Sequence, residues 1–74
     1  MDSDKLKGYI KEKRKTLQEC ADVLGLSLFQ FRRKVNGEVG FWLKEMAILA
    51  AFLEMPKEKF FEIFMPNVYH KEIV

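Results

Sequence analysis

The chain reads as an all-α protein, a compact bundle of five helices, and three observations predict it. Apolar residues recur at i, i+3, i+4 and i+7 in separate stretches, the spacing of one face of an α-helix. The stretches are bracketed by residues that start or stop helices: Thr16, Ser27 and Pro56 at beginnings, Gly25, Asn36-Gly37 and Pro66 at ends. No stretch shows the strict alternation of a half-buried strand, apart from a weakly alternating tail. Seventy-four residues suffice for one small domain, and a composition 49% hydrophobic and 14% aromatic supplies a core without disulfide staples. The domain is expected over residues 1–66. Residues 67–74 form a C-terminal tail that can be a short strand, a docked arm or disordered.

The first helix is expected from about Asp4 to Arg14. Leu6, Tyr9 and Ile10 supply its apolar face, lysine stems extend it, and Asp2, Ser3 and Asp4 offer N-caps. Gly8 costs about 1 kcal/mol inside a helix, and a close helix contact would account for it. The second starts at Thr16, where Glu19 three residues on completes a capping box. Leu17, Cys20, Ala21 and Leu24 then share one face, and Gly25 stops the helix. Ser27 caps the third, Leu28 to Val35, with Leu28, Phe31 and Val35 turned inward. Phe31 and Leu24 are expected to be buried where the second and third helices cross. The fourth runs roughly from Trp42 to Glu54, with Leu43, Met46, Ala47, Ala50 and Leu53 as one stripe widened by Leu49 and Phe52. A helix apolar over so much of its girth is central to the fold or part of an interface. The fifth follows Pro56 as a first-turn residue and carries Phe60, Phe61, Ile63 and Phe64, more readily core than a binding box.

Charge is distributed unevenly. Residues 5–34 hold nine basic and three acidic side chains, a balance of +6, whereas the remainder holds four basic and eight acidic ones, −4. A polarised chain suits an anionic partner on one side. Cys20 is the single cysteine, so no disulfide or multi-cysteine metal site forms within one chain. The start is acidic and polar rather than a signal peptide, and the longest apolar run, Met46 to Leu53, is far too short to span a bilayer. These features point to a cytoplasmic protein with no membrane partner.

The second helix, a three-residue turn containing Gly25, and the third helix have the shape of a helix-turn-helix. Small Ala21 lets the helices cross closely, Leu26 plugs the corner, and Ser27 can both cap and donate to a phosphate. On the outer face of the third helix Phe29, Arg32, Arg33 and Asn36 are spaced i, i+3, i+4 and i+7, beside the cationic run Arg32-Arg33-Lys34. A helix presenting arginines from a protruding position fits a DNA major groove, where arginine holds guanine O6 and N7 or clamps a phosphate.

The stretch TLQECADVLGLSLFQFRRKVNG, with Ala21, Leu24-Gly25-Leu26-Ser27 and Asn36-Gly37 in order and spacing, resembles the core of Cro and lambda-repressor-like regulators. The RRKVNG ending and Phe41 look most like small regulators of Gram-positive bacteriophages, and the resemblance runs from about Leu6 to Phe64. It implies a lambda-repressor-like DNA-binding fold whose third helix reads double-stranded operator DNA, often in a homodimer. Ser27, Leu28, Phe29 and Gln30 fall where the family approaches bases and phosphates. Arg33 falls at a frequent base contact, Thr16 and Gln18 at phosphate contacts, and Asn36 and Trp42 at backbone contacts on the other side. The chain departs from the family at Leu17, where glutamine is usual, at Leu28 or Phe29, where a polar residue is usual, and at Trp42, often serine or threonine. Phe29 then has three open fates: a thymine methyl, the core, or a protein partner.

Two functions compete. One is a phage or prophage transcription regulator, a repressor of Cro-like type. The other is an anti-repressor that covers a partner repressor, favoured by Leu17, Leu28, Phe29 and Trp42. An enzyme has no site to support it. Cys20 and His70 are better read as core and tail than as a nucleophilic or metal pair, and Glu58 and Glu62 as surface charge. No cofactor, metal or small-molecule substrate is implied. Lys11 to Lys15 (KEKRK) can touch phosphate or simply complement the end of the first helix. Trp42 with Phe41, on a glycine-flanked turn, is the candidate for an exposed aromatic contact.

Overall fold

The computed structural model describes residues 1–68. Of the expected tail, positions 69–74, His70 among them, lie outside the described residues. Five helices follow one another: α1 Ser3–Glu12, α2 Leu17–Leu24, α3 Leu28–Val35, α4 Leu43–Phe52 and α5 Lys57–Phe64. No strand occurs among the described residues.

Local chemistry sets the starts. Asp2 caps α1 by accepting from the Lys5 N–H at 3.1 Å, and its own N–H donates to the Ile63 carbonyl at 2.7 Å, tying the first helix to the last. Thr16 and Glu19 form the expected box, with the hydroxyl accepting at 3.0 Å and the carboxylate at 2.8 Å. Ser27 and Gln30 form a second one of the same kind. The fifth helix starts directly after Pro56, as expected, with Pro56 at the flanking cap position.

Four helices stop in one geometry. A residue with left-handed backbone follows the helix, and the next N–H reaches back five residues: Lys15 to Ile10 at 3.1 Å, Leu26 to Ala21 at 2.9 Å, Glu38 to Arg33 at 2.9 Å and Met55 to Ala50 at 2.8 Å. Gly25 (φ 71°) and Gly37 (φ 83°) adopt it without strain, whereas Arg14 (φ 59°) and Glu54 (φ 52°) bring a Cβ into it. That conformation costs an L-residue roughly 1–2 kcal/mol. It also shortens two helices relative to expectation: α1 ends before Arg14 and α4 before Glu54, with no glycine in the sequence to mark either stop.

Each helix contributes to one core. Leu6, Tyr9 and Ile10 come from α1, Cys20 and Ala21 from α2, Phe31 and Val35 from α3, Leu49 from α4 with Leu53 just after its end, Ile63 and Phe64 from α5. Phe31 is wholly buried. Phe41, from the α3–α4 linker, meets it edge-on at 6.0 Å and meets Phe64 in the same way at 5.7 Å. Phe41 is therefore a partly buried core ring, not an exposed contact. Leu24 and Leu28, both expected inside, are half-buried; they end α2 and begin α3, on either side of the turn. On α4 the buried face runs through Leu49 and Leu53 with Met46 and Phe52 beside it, while Leu43 is 67% exposed and Ala47 is exposed as well. The helix is apolar nearly all round, so its pattern could not choose the inward side.

Gly8 has no close helix neighbour: a Cβ built there meets nothing within 4 Å, and the residue is exposed. It is an uncompensated cost to α1. Gly8→Ala is expected to raise unfolding free energy by about 1 kcal/mol, read as an upward shift of the thermal midpoint.

Candidate nucleic-acid interface

The outer stripe of α3 is exposed as its spacing predicts. Phe29 is 70% exposed, and Arg32, Arg33 and Asn36 all face solvent. The core fate for Phe29 is thereby ruled out. A phenylalanine side chain left in water forgoes roughly 1.5–3 kcal/mol of burial, an unused increment for so small a domain.

Ser27 and Gln30 lie in the first turn of α3 and cap each other. The Ser27 hydroxyl accepts the Gln30 N–H at 3.1 Å, and the Gln30 carbonyl oxygen accepts the Ser27 N–H at 2.9 Å. The hydroxyl proton of Ser27 and the amide NH2 of Gln30 are left as donors. Thr16 is similarly engaged at the start of α2, and Gln18 donates to Asp22 at 2.8 Å on the exposed side. Leu28 is half-buried, so only its edge reaches the surface. Trp42, 74% exposed, flanks α4 and donates its backbone N–H to Glu45 at 2.9 Å.

The cationic run does not act as a block. Lys34 is 8% exposed and turned inward. Its ammonium lies 3.0 Å from the Glu45 carboxylate, donates to the Gly40 carbonyl at 2.9 Å, and sits 5.9 Å from the centre of the Phe41 ring. The helical period explains the inversion: Lys34 follows Phe31 by three residues and shares its inner side. Arg33 points outward, with its Nε 3.6 Å from Glu38, both side chains about half exposed. A similar sorting occurs in Lys11 to Lys15. Lys13 lies over the Tyr9 ring at 5.5 Å and Lys15 over Phe52 at 4.9 Å, leaving exposed Arg14 between them with no ion pair among the described residues.

The structure gathers Phe29, Gln30 and Arg33 around one notch of about 220 Å³, together with Leu26, Lys34 and Val39. Thr16, Gln18 and Trp42 are not part of it. Glu38, Val39 and Leu26 are site residues that sequence reading missed. The available signal was Asn36-Gly37: a left-handed glycine reverses the chain and brings the next two residues back over the last turn of α3, where the Glu38 and Val39 N–H groups both reach the Arg33 carbonyl, at 2.9 and 3.4 Å.

Cys20 is fully buried, as its place on the inner face of α2 predicts. Desolvation, reinforced by the nearby Glu19 charge, pushes its thiol up to about 11. Such a thiol is inert as a nucleophile at neutral pH.

These features define a small all-α domain of five helices with a cationic, aromatic-bearing outer helix. The model of one family, the BetR domain, matches residues 4–67, and the chain belongs to that family. No curated protein and no solved structure matches it.

Two outcomes follow from the sorting of charge and burial. Lys34→Ala is expected to cost about 3 kcal/mol in urea unfolding, because Glu45 loses its partner in a nearly buried setting, whereas Arg32→Ala and Arg33→Ala stay within about 0.5 kcal/mol of the parent. Cys20 is expected to react with Ellman's reagent only as fast as the domain opens, and at once in denaturant.

Proposed function

We propose that this protein is a sequence-specific DNA-binding transcription regulator of phage or prophage origin, similar to Cro and lambda-repressor-like proteins. In this reading α2, the turn Gly25 to Ser27 and α3 act as a helix-turn-helix, and α3 enters the major groove of double-stranded operator DNA. The observation that carries the proposal is the outer face of α3, where Phe29, Arg32, Arg33 and Asn36 are exposed together while Lys34 of the same run is withdrawn. Arg33 reads a guanine edge, and Arg32 and Arg14 hold phosphates. Ser27 and Gln30 offer donors at the leading end of α3, Thr16 and Gln18 approach the backbone at the start of α2, and Trp42 and Asn36 approach it on the far side. A homodimer would place two such faces on one operator. The domain spans residues 1–66 in this reading and works in the cytoplasm without catalysis.

A second reading is favoured by one observation: Phe29, Trp42 and Leu43 are each about two-thirds or more exposed. Apolar groups so presented suit a protein partner, and an anti-repressor covering another regulator would use them. The DNA reading is preferred because arginines flank Phe29 on its own helix face.

The test is a gel shift over a salt series. Affinity is expected to fall with salt at a slope of about −0.9 per phosphate neutralised. Arg33→Ala is expected to cost roughly 1–3 kcal/mol and relax preference at one base pair, while Arg14→Ala weakens all sequences alike. A flat salt response, with capture of a repressor protein that depends on Phe29, would decide for the second reading.

A further inference from the structure

The notch beside Arg33 has a chemistry of its own. Three of its lining residues, Leu26, Phe29 and Val39, are apolar, and they come from the turn before α3, its first turn and the linker after it. Its polar rim is Gln30 and Arg33; Lys34 adds only its apolar stem, since its ammonium is engaged by Glu45 and Gly40. At about 220 Å³ it has room for the edge of one planar ring but not for a folded segment of protein. The donors Gln30 and Arg33 stand at the rim, so a phosphate or a sugar hydroxyl seated on the apolar floor would lose water without a partner there. The one apolar group that a duplex displays in its major groove is the C5-methyl of thymine.

Arg33 fixes what lies next to that methyl. Glu38 engages its Nε from one side at 3.6 Å, so the two terminal amino groups remain as the outward fork. That fork suits guanine O6 and N7. Phe29 and Arg33 are four residues apart on one face of α3, about 6 Å along its axis. The span between adjacent stacked base pairs is smaller, about 3.4 Å, and a side chain as long as arginine bridges the difference.

We propose that the Leu26–Phe29–Val39 notch receives the methyl edge of a thymine that directly neighbours the guanine held by Arg33, so that the protein reads a thymine–guanine step as a unit. This deepens the DNA-binding reading and rests on it. Phe29 is exposed in the free protein because its cover is a base edge supplied by the operator.

The experiment uses the full chain and a duplex selected by it from a random-sequence pool. Each thymine of that duplex is then replaced singly by uracil, which removes the methyl and nothing else. One thymine beside a guanine is expected to be sensitive, with wild-type affinity falling roughly fourfold to tenfold, the effect of one buried methyl. The same replacement leaves the affinity of Phe29→Ala unchanged, since the wall of the notch is already gone, and Arg33→Ala loses preference at the neighbouring guanine. Thermal melts show both variants to be folded, as their exposure requires. If a duplex is selected but no uracil replacement matters, or the sensitive thymine is equally sensitive in Phe29→Ala, the notch is not a methyl site and the inference falls alone. If no duplex is enriched from the pool at low salt, the DNA-binding reading falls and takes the inference with it.

Discussion

The inward ammonium of Lys34 is the constraint on which the candidate interface depends. It joins three parts of the chain: the last turn of α3, the Gly40 carbonyl in the linker, and Glu45 in the first turn of α4. Glu45 in turn accepts the Trp42 N–H and so starts α4. One near-buried ion pair thus sets where the linker lies, where α4 begins and where Trp42 and Leu43 emerge. Such pairs add little net stability compared with apolar replacements, but they are costly to break from one side, which makes them good at holding one geometry.

The aromatic packing under that pair explains why the linker stays in place. Phe41 lies beneath the Lys34 ammonium and between Phe31 and Phe64, edge-on to each. A linker bounded by Gly37 and Gly40 has ample backbone freedom, and a ring driven into the core removes most of it. Val39 and Glu38 are then held over the last turn of α3, one lining the notch and the other orienting Arg33.

Four lysines of this small domain, Lys13, Lys15, Lys34 and Lys59, lie against aromatic rings, where stem burial and cation–π attraction serve the fold. Arg14, Arg32 and Arg33 face outward, as do Lys5, Lys7, Lys11, Lys44 and Lys57. A lysine lays a flexible apolar stem over a ring, whereas a planar guanidinium presents a fixed fork of donors. A net charge of +2 conceals how many cations the surface carries.

Legible in the chain itself were the all-α class, the order of five helices, most of their starts and three of their stops, at Gly25, at Asn36-Gly37 and before Pro66. So were the burial of Phe31 and Cys20 and the exposure of the Phe29–Arg32–Arg33–Asn36 stripe. All of these follow from local rules: a hydroxyl or carboxylate within three residues of a free N–H, a glycine free to turn left-handed, and the period of 3.6 residues. What the fold alone supplied are the partners that Lys34 meets, the inner face of α4, the place of Phe41 and the notch around Arg33. Local spacing could not reach these, for physical reasons that differ in each case. A helix apolar nearly all round from Met46 onward has no preferred side until its neighbours are placed, and Gly8 likewise found open space where the sequence suggested a contact. A lysine joins the core side only when a carboxylate eleven residues away is there to meet it. Glu38 and Val39 become part of the site only because Gly37 reverses the chain and Phe41 anchors the far end of the turn.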